Sequence, residues 1–385
     1  MAKKRTRAAN GMGTVRQRND GTWEGRYTAP NGQQRSVYAK TEAEVTKKLR
    51  ATLHEVDSGA WLEPSRMTVD DWLDIWLRDY LSHTTGRTVE TYTIALRLHI
   101  RPALGVVKLG KLTSMHFRRV VSDLQRRGYS PTTIRHIKTI FGSAMRCAVE
   151  AGLIKSNPVQ GVKMPRPVKP EFTVVDRDLF PAFIRAAQET RIPTALVFLL
   201  MTGLRAGELR GLKWEGIDFD AGTMRVDRQL HAVASGRMEF GPPKDNSVRT
   251  IQLPPDAVDL LKQQRRAQLE QRLAAGGDWV NTEYTNGLVF RTAKGKYIAE
   301  YTLHRAVHAV GEAIGLPALH PHDLRHSYAV AALRSGIDVK TLQHNLGHRS
   351  AAMTLDIYAA YTTDAGKVGA ERFAAYWQEA LNHAD

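Results

Sequence analysis

The sequence predicts a multidomain, mainly α protein: a small three-stranded β-sheet plus a helix at the N-terminus, a helical middle domain, and a mixed, mostly α last domain with a small β-sheet of its own. Three observations predict it. At 385 residues the chain exceeds what one core of ordinary size organises. Short runs rich in Val, Thr, Trp and Tyr, cut by turn signals, occupy residues 13–41, whereas apolar residues recur at helical spacing through most of the remaining chain. A stretch with four prolines and no periodicity, "NPVQGVKMPRPVKP", separates two helical regions. The expected domains are 1–60, 66–156 and 172–385, with 157–171 as a linker.

In the first domain, "NDG" and "APNG" divide residues 13–41 into a three-stranded meander. Alternation puts Trp23 and Tyr27 on one face and Arg16, Arg18 and Arg26 on the other. "TEAEVTKKLRATLHEVDSG" reads as a helix with Thr41 as N-cap and Glu44 at the reciprocal capping position, covering the apolar face. In the middle domain, Val69, Trp72, Leu73, Trp76, Leu77 and Tyr80 recur at helical spacing behind Asp70 and Asp71. Three more helical segments come after it, each opened by a Thr or Ser. They carry Arg97, Arg101, Arg118, Arg119, Arg126, Arg127, Arg135 and Lys138, which on a helix also fit a plain solvated face. The last domain is helical except for "GTMRVDRQL" and "SVRTIQLP", strand-like and joined through "GPPKDN". Its tail places Phe373, Tyr376, Trp377 and Leu381 on the apolar side of an amphipathic helix.

Charge narrows the function. Residues 1–50 carry 12 Lys and Arg against 4 Asp and Glu, and residues 51–170 carry 18 against 10. Residues 171–385 carry 25 of each, so the whole excess of +16 lies in front. Such a bias points to a polyanion, and duplex DNA is the expected partner. The basic residues are spread over folded-looking segments, which disfavours a membrane surface. No apolar stretch reaches membrane length, "MAKKRTRAANGMG" has no apolar core to act as a secretion signal, and the single cysteine, Cys147, suits a reducing cytoplasm.

Four clusters in the last domain carry chemistry. They are "TGLRAGELRGLKW" with Arg205 and Glu208, Lys244 after paired prolines, "HPHDLRHSYAV" with His322, Arg325 and His326, and "LGHRSAAMTLDIYAAY" with His348 and Tyr358. His322 and His326, like His344 and His348, are four apart and are candidates for a metal site. Arg325 and Arg349 beside them oppose a cation, so no metal is expected. A phosphoryl transition state is the better match. Two guanidiniums donate bidentately to its oxygens, and a nearby tyrosine attacks phosphorus once cations lower its pKa or a histidine takes its proton.

Together these clusters resemble the signature of the tyrosine recombinase (phage-integrase) family, over residues 172 to 361. The middle segment is similar to that family's helical core-binding domain, and the front meander resembles the arm-binding domain of its integrases. The resemblance implies a site-specific DNA recombinase working through a 3′-phosphotyrosine, without metal or other cofactor. It implies that Arg205 and Arg325 clamp the scissile phosphate and that Lys244 protonates the leaving 5′-oxygen. His322 would serve the tyrosine proton, His348 would donate to a non-bridging oxygen, Tyr358 would attack, and Glu208 would orient the first arginine. The interval from His348 to Tyr358 is one residue longer than in many members, and Tyr361 lies three residues on, so both tyrosines stay open as nucleophile. Lys213 and Lys262 stay open beside Lys244.

The expected DNA contacts are Arg16, Arg18, Arg26, Arg97, Arg135 and Lys138. The expected partners are core and arm attachment sites, further copies of the chain in a tetramer on DNA, and an excisionase or DNA-bending protein. The expected place is the nucleoid of a bacterial cytoplasm. The competing readings are a recombinase that resolves chromosome dimers, a DNA-binding regulator that cuts nothing, and a metal-dependent nuclease.

Overall fold

The computed structural model describes residues 13–59, 61–63, 66–167, 172–232 and 238–349, together with Phe373, Ala374 and Trp377. The chain divides into two compact units, residues 1–168 and 169–385.

The first unit holds two separate apolar clusters. Strands β1 (Thr14–Gln17), β2 (Trp23–Thr28) and β3 (Gln34–Ala39) form an antiparallel meander in that order. Helix α1 (Glu42–Asp57) buries Val45 and Leu49 against it, and the Thr41 side chain accepts from the Glu44 N–H, the first half of the expected box. The close approach explains Gly25, where a Cβ would lie 3.1 Å from Val37 and 3.3 Å from Leu49. As the alternation predicts, Tyr27 is buried on the helix side, while Arg16 pairs with Glu24 across the opposite face.

The helical part comprises α2 (Val69–Ile75), α3 (Gly86–Ala95), α4 (Arg101–Leu104), α5 (Ser114–Arg126) and α6 (Pro131–Glu150). Val69, Trp72, Leu73 and Trp76 enter its core, and the Trp72 indole N–H donates to the Ala144 carbonyl at 2.9 Å. Tyr80 departs from the expected stripe and is 43% exposed. A π turn over Trp76–Tyr80 takes an extra residue and rotates it outward. The expected linker begins later than residue 157. Val159 and Val162 are buried in this core, and the Asn157 amide donates to the Gly142 carbonyl at 2.8 Å.

The second unit is built around α8 (Pro193–Thr202), apolar on all sides and therefore central. Around it pack α7 (Phe180–Gln188), α10 (Pro255–Ala275), α11 (Glu300–Ala313) and α12 (Pro321–Ser335). The short α9 (Ala206–Gly211) follows α8, and α13 (Val339–Leu346) follows α12. Strands β4 (Ile217–Asp218), β5 (Thr223–Val226) and β8 (Arg249–Gln252) form the sheet. The hairpin of β6 (Gln229–Ala232) and β7 (Met238–Gly241) leaves it between β5 and β8. Alternation along β8 turns Arg249 and Ile251 inward and leaves Thr250 and Gln252 exposed.

Candidate active site

The site begins where α8 stops. Gly203 takes a left-handed φ of 62°, and a Cβ there would meet the Tyr328 ring at 2.3 Å. Only glycine suits both demands. The turn places Arg205 at the start of α9, whose Glu208 carboxylate accepts from the Arg205 backbone N–H at 3.0 Å and from its Nη1 at 2.8 Å. Glu208 has a fully buried side chain, and a second guanidinium serves it: Arg249 donates from Nη1 at 3.1 Å and Nη2 at 2.8 Å. Burial pushes the Glu208 carboxyl up, but its arginine partners outweigh this and hold it below the ordinary carboxylate range.

Arg325, on the first turns of α12, is 2% exposed. Its guanidinium donates to the Gly203 carbonyl at 2.9 Å and to the Leu346 carbonyl. Arg205 donates to the Gly347 carbonyl at 2.9 Å, and Arg249 to the Asn345 carbonyl at 2.7 Å. Three successive carbonyls at the end of α13 thus receive three arginines from α9, α12 and β8. A helix C-terminus offers such orphan carbonyls and a partial negative charge. His348 follows directly, its backbone N–H bonded to the Gln343 carbonyl at 3.1 Å.

Burial, with Arg205 second, pushes Arg325 down to about 9, which leaves it charged at neutral pH. Burial and then Arg325 push His348 down to about 3, and the same two causes lower His322. Both rings are neutral at physiological pH, each with one N–H donor and one acceptor nitrogen. Lys244 is exposed in a turn where Asp245 and Asn246 take φ of 60° and 53°, and its charge reaches His322. His326 is 9% exposed, packed between Phe172 and His322 with ring centroids 4.3 and 4.6 Å away. His344 turns aside to the Thr250 carbonyl at 3.1 Å, so the four histidines do not gather. Among the described residues no group of three His, Cys, Asp or Glu is placed to hold a metal. Tyr358 and Tyr361 lie outside the described residues.

Residues 174–364 match the family model described as "Phage integrase family", and residues 68–125 match "Phage integrase, N-terminal SAM-like domain". An integrase of Streptomyces ambofaciens is 30% identical over 328 residues, covering 83% of each chain. The chain belongs to the phage integrase family. A XerC-like tyrosine recombinase of Caldanaerobacter subterraneus is 28% identical, covering 84% of this chain and 87% of that one. Among solved structures, the Tn1549 transposon integrase in complex with a circular intermediate DNA superposes with a TM-score of 0.68. It is 20% identical and covers 80% of this chain and 99% of its own. As a member of this family the protein is a site-specific tyrosine recombinase, an enzyme that breaks and rejoins DNA.

In this recombinase the residues expected to contact DNA are placed unevenly. Arg16 and Arg26 both bond Glu24, at 2.6 and 3.2 Å, and Arg18 lies over the Tyr38 ring at 5.5 Å. Arg97 is exposed on the helical unit. Arg135 donates to the Pro165 carbonyl, and the Lys138 ammonium donates to the Val162 carbonyl at 2.8 Å, where it fastens residues after α6. Two residues of these networks escaped sequence reasoning. Arg249 was signalled by a charge at an inward position of an alternating strand, and Glu24 by an acid inside an arginine face. No helix of the described residues is long and apolar enough to cross a membrane.

Proposed function

We propose that this recombinase is the integrase of a phage or integrative element, and that the end of α13 is where it holds the scissile phosphate. The carrying observation is the convergence of Arg205 and Arg325 on that helix end, beside His348 and His322. Each guanidinium has five N–H donors, of which the described residues engage only some, so the remainder supports a phosphate clamp.

Tyr358 then attacks phosphorus, and the bond from phosphorus to the 5′-oxygen breaks. His322, neutral, takes the tyrosine proton, while Lys244 gives a proton to the departing 5′-oxygen. His348 donates its N–H to a non-bridging oxygen. The product is a 3′-phosphotyrosyl link and a free 5′-hydroxyl, which return by reversal. The basic front sheet favours an integrase over a chromosome-dimer resolvase, because it supplies a second DNA-binding face for arm sites. The Tn1549 integrase is described in complex with a circular intermediate DNA, and a lambda integrase as a tetramer bound to a Holliday junction. By analogy this chain assembles as a tetramer on DNA in the bacterial nucleoid, with an excisionase or bending protein setting direction.

The test is a nicked suicide core site incubated in excess EDTA with wild type, Tyr358→Phe and Tyr361→Phe. A covalent protein–DNA band lost only in Tyr358→Phe is expected. Loss only in Tyr361→Phe moves the nucleophile three residues along the chain, and no band on a site that is demonstrably bound overturns the reading.

A further inference from the structure

We infer that Arg249 is a positioning residue of the clamp: it fixes Glu208, and through it Arg205, and fastens the lysine-bearing turn to the helix end that carries His348. The inference rests on the clamp reading above. Arg249 is 5% exposed, and contacts within the protein take four of its five N–H donors, which leaves little of the guanidinium for a phosphate. Its guanidinium makes four contacts, to both oxygens of Glu208, to the Ser247 carbonyl at 3.2 Å and to the Asn345 carbonyl. The first pair belongs to α9, the third to the turn after Lys244, and the last to α13. One planar group therefore sets the spacing of three elements that each deliver a functional side chain.

The fit is close. A Cβ on Gly347 would lie 2.9 Å from Arg249 Nη1 and 2.9 Å from Ser247 Oγ. Glu208 in turn holds Arg205 at two points, its backbone N–H and Nη1. Without Arg249 the carboxylate keeps one side-chain partner and is free to swing, taking Arg205 with it. A lysine would preserve the charge but not the fork that reaches Glu208 and Asn345 together.

The test uses the full chain with Arg249→Met, Arg249→Lys, Glu208→Gln and the double variant Glu208→Gln/Arg249→Met. Single-turnover cleavage of the suicide site is read at saturating protein, beside the Kd for the same DNA. Arg249→Met should cleave about 10- to 100-fold more slowly with Kd unchanged, the scale seen for partners that orient a reacting group. Arg249→Lys should fall between it and wild type. Because part of Arg249's effect runs through Glu208, the loss in the double variant should fall short of the product of the single losses; losses that multiply in full would overturn the inference. If Arg249→Met folds poorly, Arg249→Lys and Glu208→Gln/Arg249→Lys supply the same cycle.

A pH profile separates positioning from mere support. The charged groups facing Glu208 are Arg205, Arg249 and Arg325. Removing Arg249 lets burial raise the carboxyl, so the acid limb of cleavage should move toward neutrality, and an unmoved limb would overturn the proposal. Normal cleavage by Arg205→Ala sinks the clamp itself. A slow Arg205→Ala beside a normal Arg249→Met sinks only this inference.

Discussion

Arg205→Ala separates the cost of folding from the cost of chemistry. The substitution removes the Nη1 bond to Glu208 and the Nη2 bond to the Gly347 carbonyl. It leaves the backbone N–H of residue 205 on Glu208 and both bonds from Arg249, so the buried carboxylate stays paired. Folding should therefore lose about 1.5–3 kcal/mol for each of these two hydrogen bonds, offset in part by relief of the repulsion between Arg205 and Arg325. Cleavage should slow in the variant that remains folded, because a preorganised donor to a developing oxyanion is removed. The expected loss is about 10²–10³-fold, or about 2.7–4 kcal/mol of transition-state stabilisation. The assay is single-turnover cleavage of a nicked core site at saturating protein, with unfolding by urea measured on the same preparation. Cleavage at the wild-type rate by a folded variant would refute the clamp. A loss of rate matched by a loss of DNA affinity would show a binding contact only.

Gly203→Ala should destabilise the last domain by at least about 1–2 kcal/mol, the cost of a left-handed side chain, before the 2.3 Å clash with Tyr328 is added; a denaturation midpoint equal to wild type would contradict the geometry. Burial first, then neighbouring cations, hold His348 near 3 and, with His322 among its neighbours, His326 near 4, below the ordinary 6.5. The unfolded chain therefore binds more protons than the folded one below pH 6.5, and stability should be full above that value and fall as the pH drops toward 4, less so in His326→Gln. DNA affinity should fall linearly on a log–log salt plot, and deletion of residues 1–56 should lessen the slope at arm sites while sparing core sites. Sulfate at fixed ionic strength should raise the unfolding midpoint of wild type more than that of Arg205→Ala, whose rise reports only the general exclusion of sulfate from protein surfaces.

Periodicity made most of the fold legible, because amphipathic helices such as α6 and alternating strands such as β2 record in sequence which face they bury. The signals failed where geometry departs from the regular period. Tyr80 fits a helical stripe, yet one π turn rotates it to the surface. Asn157 and Val162 stand in a proline-rich run, yet side-chain bonds and burial draw them onto the helical core. Within the candidate site, Arg205, His322, Arg325 and His348 stand in short motifs, and the likeness of the whole set to the family signature marks them together. Arg249 was not, because its role depends on two carbonyls and a carboxylate, at positions 247, 345 and 208, that no local spacing connects. Chemistry-bearing side chains leave motifs; the groups that aim them leave only a charge in an apolar register.

The same network explains why the site should favour a phosphate over water. Arg205, Arg249 and Arg325 stand together with one carboxylate, Glu208, among them. Repulsion is evident in Arg325, pushed down to about 9 by burial and then by Arg205. The α13 carbonyls offset part of this, but they are dipoles and carry no full charge. The folded site thus keeps an excess of buried positive charge, an arrangement that costs stability unless an anion completes it. A phosphodiester in flight to pentacoordination gains negative charge on its non-bridging oxygens, so in the proposed clamp the same fixed donors would stabilise it more than the ground state. The histidines fit the same proposal: burial and that positive field lower the pKa of both His322 and His348, so the proposed proton transfer would add no further cation to the repulsion.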